Sequence, residues 1–223
     1  MSELVVYGAS MPQPVRSVLY FLQISNIEYT FRPVNISAGE HLTEEYSKIN
    51  PFQTLPAIVH NGFNLWESAA IVTYLSEVYN VDNEMYPKDL KTRARINAYL
   101  HWHHENMRTP LASYFFSKHI SPKVANTPAL TDLTEKPYKQ ALEIWYTTIE
   151  NQLKETGFIA RTPEKTIADI FAFNEVSIGL LIPLDLTSHP IIQQWYTSMS
   201  SDAILQSLLS DALTIANTFI TPN

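Results

Sequence analysis

The chain of 223 residues contains no cysteine. It therefore forms no disulfide, offers no thiolate to a metal and has no cysteine nucleophile, so any thiol chemistry must come from a bound compound. Basic residues are also few, with 15 Lys and Arg against 22 Asp and Glu and a net charge of −7. Because a phosphate backbone is bound by clustered positive charge, we expect no nucleic-acid partner.

Long hydrophobic runs are also missing. No apolar stretch approaches the roughly 20 residues of a membrane helix, and Met1-Ser2-Glu3 lacks the basic and apolar regions of a signal peptide. We therefore expect a cytoplasmic protein that does not interact with membranes. A hydrophobic content of 45% and an aromatic content of 12% are enough to build a packed core.

The first 80 residues alternate between strand and helix patterns. The dipeptide Asn61-Gly62 separates two short apolar segments and is a strong hairpin signal. The periodicity predicts strands at 4–7, 29–34, 57–60 and 63–65, helices at 15–24 and 68–79, and a short turn at 44–48. The order βαβ followed by ββα predicts a thioredoxin-like domain with a mixed sheet.

The rest of the chain has only helical patterns. Residues 81–90 show no periodicity and read as a linker between a domain at 1–80 and an all-helical domain at 91–223. Helices are predicted at 91–118, 138–155, 167–181 and 190–219. Prolines at 122, 128, 137, 163 and 183 separate these helical segments. The expected fold class is α/β plus all-α.

Two dipeptides in the first domain suggest a peptide-binding site. A cis bond at Leu55-Pro56 would turn the backbone of Leu55 outward, where its N–H and C=O can pair with an extended peptide. A helix starting near Ser68 presents free N–H groups to a carboxylate, and Glu67 beside it can bind an ammonium group. His41 is a candidate donor to a second, distal carboxylate. Together these groups match γ-glutamyl-cysteinyl-glycine, glutathione, although Glu67-Ser68 alone is equally well explained as a helix cap.

The same residues, with their spacing, resemble the soluble glutathione transferases, in particular the theta class and its bacterial dichloromethane dehalogenase relatives. The resemblance is densest in Gly39-Glu40-His41-Leu42, Asn50-Pro51, Leu55-Pro56-Ala57, Leu65-Trp66-Glu67-Ser68-Ala69-Ala70-Ile71-Val72, Tyr86-Pro87 and Tyr99-Leu100-His101-Trp102. It implies the glutathione transferase fold, a homodimer, and a glutathione site with a pocket for an electrophile beside it. The implied glutathione site comprises Gln13, His41, Thr54, Leu55, Pro56, Glu67 and Ser68, and the implied electrophile pocket includes Glu105 and Arg108. Thr54 replaces a basic residue that is common in the family, which implies a weaker grip on the distal carboxylate.

One departure from the family pattern concerns catalysis. The ungapped alignment places Pro12 where theta-class enzymes have the serine that stabilises the glutathione thiolate, and proline has neither a hydroxyl nor an N–H. Ser10, two residues earlier, is the candidate replacement, unless its hydroxyl only bonds the turn backbone. Tyr7 is a second candidate, although core packing explains it better.

The sequence therefore predicts a theta-like protein that binds glutathione and conjugates it to an electrophile through attack by the thiolate. The alternative is a non-catalytic module for glutathione binding or protein assembly, suggested by Pro12. His101, His103, His104 and Glu105 are residue types that bind metals, but they share one segment and a metal would need ligands from a second element. We expect no metal.

Overall fold

The computed structural model describes residues 3–81, 84–120, 122, 130–178 and 186–220. Four strands form one mixed sheet in the order β2-β1-β3-β4, with β1 and β2 parallel and the other pairs antiparallel. The strands are β1 (Leu4–Gly8), β2 (Thr30–Pro33), β3 (Ala57–His60) and β4 (Phe63–Trp66). Helices α1 (Gln13–Ile24), α2 (Glu44–Ser47) and α3 (Ser68–Val78), with a 3-10 turn at Glu40–Leu42, complete this part. The predicted thioredoxin-like arrangement is confirmed.

Local sequence explains the turns and the close packing of this part. Asn61 and Gly62 have φ values of 49° and 81°, the left-handed conformation that a two-residue hairpin turn requires. Gly8 ends β1 where α1 passes very close, since a Cβ atom there would lie 2.6 Å from Cγ1 of Val15. The alternating residues Leu4 and Val6 are almost fully buried and belong to the same hydrophobic cluster as the apolar residues of α1.

The remaining described elements are helical, as predicted. They are α4 (Leu90–His103), α5 (Thr109–Phe115), α6 (Asp132–Thr156), α7 (Ile167–Ile178), α8 (Pro190–Met199) and α9 (Ala203–Ile220). Two wider π-helical turns, His104–Arg108 and Phe116–Ile120, follow α4 and α5. No helix of the described ranges is long and apolar enough to cross a membrane. Pro128, Pro183 and the predicted helix end at 179–181 lie outside the described residues.

Two predicted helix boundaries were wrong. The segment 190–219 forms two helices instead of one. The Asp202 side chain accepts the backbone N–H groups of Ile204 and Leu205 and so caps the N-terminus of α9. Helix α6 begins at Asp132, and Pro137 lies inside it. A capping box between Thr131 and Thr134 starts this helix before the proline, whose missing N–H costs only one bond near the N-terminal end.

Helix α7 positions the residues that face the first domain, and its start is fixed by a buried carboxylate. Oδ2 of Asp169 accepts the backbone N–H of Thr166 at 3.0 Å, and Oδ1 accepts that of Ile159 at 2.9 Å. Asp169 is fully buried, and burial raises its pKa. Helix α1 packs against α7 and α9, so the two parts of the chain share one core.

Candidate functional site

A cleft of about 920 Å³ lies between the β1–α1 loop, the segment around the 3-10 turn, and helices α5 and α9. Its size falls within the range of small-molecule sites. Of the residues singled out from the sequence, the cleft is lined by Ser10, Gln13, His41, Thr54, Leu55 and Arg108. Pro56, Glu67, Ser68 and Glu105 do not line it.

The Leu55-Pro56 bond is cis. The backbone of Leu55 makes no hydrogen bond with another described residue, so its N–H and C=O are free to pair with a ligand. The preceding residue is held firmly, because Tyr46 Oη and Asn50 Nδ2 donate to the Thr54 carbonyl at 2.7 and 2.8 Å. Asn50 also donates to the Thr54 hydroxyl at 3.0 Å.

Glu67 and Ser68 lie at the same end of the β3–β4 hairpin as Leu55. The register pairs Ala57 with Trp66, so the residues before Ala57 run opposite those after Trp66. Glu67 has a φ of 66°, which is strained for a non-glycine residue and recurs at binding sites. Ser68 begins α3, is 2% exposed, and its Oγ has no partner among the described residues. A buried hydroxyl without a partner costs about 1–3 kcal/mol, which a ligand atom would recover.

His41 is one of the residues that line the cleft. It lies in the 3-10 turn that follows Gly39, whose φ of 73° favours glycine. Its Nδ1 is buried and has no hydrogen-bond partner in the described part of the chain. His41 therefore offers a polar atom to a ligand without having to break an existing bond.

Pro12 stands at the start of α1. Its carbonyl accepts the N–H groups of Val15 at 3.2 Å and Arg16 at 3.3 Å, and its ring has no donor for the cleft. Ser10 lines the cleft, and its hydroxyl makes no hydrogen bond with a described residue. Tyr7 packs edge-on against Tyr46 at 6.3 Å and does not line the cleft, in agreement with core packing.

Sequence reasoning missed a buried polar network behind this loop. Arg16 is 2% exposed and donates to Oδ1 and the carbonyl of Asn174, both at 3.1 Å, and to the Met11 carbonyl. Gln13 donates from Nε2 to Glu175 Oε2 at 2.7 Å. Burial lowers the pKa of Arg16 to about 10 and raises that of Glu175 to about 7, although Arg108 and Gln13 oppose the rise at Glu175. The first domain is thus tied to α7 directly beneath the cleft.

The histidine-rich segment has two different environments. His103 is fully buried, and burial together with the charge of neighbouring His104 lowers its pKa to about 3. His104 is partly exposed, its Nε2 lies 3.8 Å from Oε2 of Glu67, and burial and Arg108 lower its pKa. Glu105 is exposed. The described residues hold no cluster of three or more side chains suited to a metal ion.

Comparisons with known proteins agree with this arrangement of sheet, helices and cleft. The glutathione S-transferase N-terminal domain family matches residues 2–77. Glutathione S-transferase theta-1 of Mus musculus is 28% identical over 94% of this chain and 87% of the mouse protein. Its counterpart in Rattus norvegicus is 28% identical over 86% of this chain and 80% of the rat protein.

Solved structures show the same relationship along nearly the whole chain. The apo form of human glutathione S-transferase T1-1 matches with a TM-score of 0.87 and 26% identity, covering 97% of this chain and 90% of the human one. Human glutathione transferase theta-2, in complex with glutathione and an unknown ligand, matches with a TM-score of 0.86, 26% identity and the same coverage. The described sheet and helices have the glutathione transferase fold. Residues 2–77 thus match the glutathione S-transferase N-terminal domain, and the chain as a whole is similar to theta-class glutathione transferases.

Proposed function

We propose that the chain binds glutathione in this cleft and at the adjoining start of α3, and conjugates it to an electrophilic substrate by thiolate attack. The proposal rests mainly on two groups at the same end of the β3–β4 hairpin. The backbone of Leu55 and the hydroxyl of Ser68 both lack a hydrogen-bond partner among the described residues. These two features fit the peptide middle and the amino-acid carboxylate of glutathione. The human theta-2 structure, which contains glutathione, supports the same ligand.

Each part of glutathione has a proposed partner. The Leu55 backbone pairs with the cysteinyl residue, and cis Pro56 completes the turn that presents it. The Ser68 hydroxyl and the N-terminal N–H groups of α3 hold the γ-glutamyl carboxylate, while Glu67 binds the ammonium group. His41 holds the glycine carboxylate, and Gln13 and Thr54 line the path between the two ends.

The electrophile occupies the helical side of the cleft. Arg108 and Ser177 are polar residues there, and the wall is apolar through Phe115, Phe116, Leu209, Leu213 and Ile215. Glu105 does not line the cleft, and we place it at the outer rim from the family resemblance alone. An apolar wall excludes water from the reacting pair and favours a hydrophobic electrophile. Catalysis here relies on holding the thiol and the electrophile together.

Activation of the thiol is the weak point of the site, because Pro12 supplies no donor. Ser10 is the proposed donor, since its hydroxyl lines the cleft and is not committed to the turn backbone. The alternative, a non-catalytic module for glutathione binding or protein assembly, is less well supported, because the relatives along most of the chain are named transferases.

We also propose, from the family resemblance, a cytoplasmic homodimer in which residues 1–80 bind glutathione and residues 91–223 supply most of the electrophile wall. Size-exclusion chromatography with light scattering tests the dimer. A monomer at micromolar concentration would contradict it.

Paired serine variants test the glutathione site. Ser68→Ala removes the buried hydroxyl at the start of α3, and we expect glutathione affinity to fall about tenfold, the value of one charge-assisted hydrogen bond. Ser76→Ala is the matched control, because its hydroxyl is also buried and unpartnered among the described residues but lies at the far end of α3. Calorimetric titration measures both. Equal affinities in the two variants would show that glutathione does not bind at Ser68.

A further inference from the structure

Glu175 is a buried carboxyl group directly beneath the loop that carries Ser10 and Pro12. It lies on α7, is 2% exposed, and accepts the Gln13 amide at 2.7 Å. No proposed contact with glutathione uses it. The titratable groups that act on it or on its partners are Arg16 from α1, Tyr99 and His103 from α4, Arg108 from the π-helical turn, and Tyr196 from α8 through Arg16.

The neighbouring histidine suggests that Glu175 can hold a proton. Nδ1 of His103 lies 2.6 Å from the Leu100 carbonyl, so Nδ1 carries the hydrogen and Nε2 is the acceptor of the neutral ring. This Nε2 is buried without a hydrogen-bond partner in the described residues and faces Glu175 Oε1 at 3.9 Å. A protonated Glu175 could donate a hydrogen bond to Nε2 of His103 if the two side chains moved slightly closer. An ionised Glu175 would instead place its negative charge against the lone pair of that nitrogen.

The charge of Glu175 matters because two arginines line the cleft. Arg16 and Arg108 both belong to the cleft wall and both act electrostatically on Glu175. When Glu175 is ionised, it cancels one of their two positive charges. When it is protonated, both remain available to an anion in the cleft.

We propose that Glu175 is a positioning residue for the glutathione thiolate: it holds Gln13 and the adjoining loop, and its charge sets how strongly Arg16 and Arg108 stabilise the sulfur anion. This rests on the proposed function. It gives a site without a serine at position 12 a source of thiolate stabilisation other than a hydroxyl. Because burial raises the pKa of Glu175 to about 7, both its protonated and its ionised forms are populated near neutral pH.

The test is a pH titration of the ultraviolet thiolate absorbance of bound glutathione, using three variants of the full chain. Glu175→Gln keeps an acceptor for Gln13 but removes the negative charge, and Arg108→Gln removes an opposing positive charge. A unit charge about 10 Å from the sulfur, at an effective dielectric constant of about 20, shifts a pKa by about one unit. We therefore expect the thiol pKa to fall by about one unit in Glu175→Gln and to rise by about one unit in Arg108→Gln.

Glu150→Gln is the control, since Glu150 is a partly buried, hydrogen-bonded carboxylate that lies on α6 and does not line the cleft. It should leave the thiol pKa unchanged, which distinguishes an effect of charge from a general effect on packing. Opposite shifts in the first two variants support the proposal.

A Glu175→Gln curve that coincides with that of the wild type, with glutathione still bound, overturns it. If circular dichroism shows that Glu175→Gln does not fold, the test uses Arg108→Gln. A thiol pKa in Arg108→Gln equal to that of the wild type overturns the proposal. A wild-type protein that binds no glutathione would overturn the proposed function, and this inference with it.

Discussion

Replacing Pro12 with serine should create the thiolate donor that the site lacks. Pro12 is the N-cap of α1, with φ −63° and ψ 125°, an extended conformation that serine adopts readily. The bonds from Val15 and Arg16 end on the Pro12 carbonyl and therefore survive the change. The new hydroxyl can accept an N–H of the first helical turn and donate its own hydrogen to sulfur.

The expected size follows from the energy of that bond. A hydrogen bond to a charged group contributes about 1.5–3 kcal/mol, which lowers the thiol pKa by about 1–2 units. At a pH below the thiol pKa of the variant, the thiolate fraction should be about 10- to 100-fold higher than in the wild type, and the conjugation rate should rise with it. Protein stability should change little, because loss of proline costs about 0.4–1 kcal/mol and a serine N-cap recovers about 0.5–2 kcal/mol.

The assay is the pH titration of thiolate absorbance, together with the rate of conjugation to a general aromatic electrophile. Pro12→Ala is the control, because it removes the ring without adding a hydroxyl. The serine variant should have a clearly lower thiol pKa than the alanine variant. Equal values in the two variants, with glutathione bound, would refute the reasoning that position 12 faces the sulfur.

Two further predictions concern stability. Gly8→Ala should lower the free energy of unfolding by about 1–3 kcal/mol in urea denaturation, because the new Cβ would lie 2.6 Å from Cγ1 of Val15; an unchanged midpoint would contradict this close approach. The stability of the wild type relative to Glu175→Gln should fall as pH rises from 4.5 to about 7, because the native state keeps a proton on Glu175 that the unfolded state has lost. The relative loss should reach about 3 kcal/mol; comparing the two proteins in denaturation at several pH values cancels the opposite contribution of His103, whose lowered pKa makes stability rise over this range in both.

Local signals in the sequence predicted much of the first domain. Asn61-Gly62 identified the hairpin because only such residues readily adopt two successive left-handed conformations. Leu55-Pro56 was recognised because proline is the residue that commonly adopts a cis bond. The break at Asp202 was missed because the periodicity of 190–219 continues across it, and only the contacts of that side chain with two backbone N–H groups reveal the new helix start.

The buried network was not predictable from local patterns. Gln13 and Glu175 are 162 positions apart and meet only because α1 packs on α7. A glutamate in a helical segment usually reads as a surface residue, and nothing in the neighbouring sequence indicates that this one is almost fully buried. The same holds for Arg16, which the sequence places at the start of a helix but not against Asn174.

The central claim is that this cleft binds glutathione, and calorimetric titration of the wild-type chain with glutathione tests it most directly. The account predicts saturable binding of one glutathione per chain at millimolar concentrations or below. A folded protein that gives no saturable heat at millimolar glutathione would contradict it.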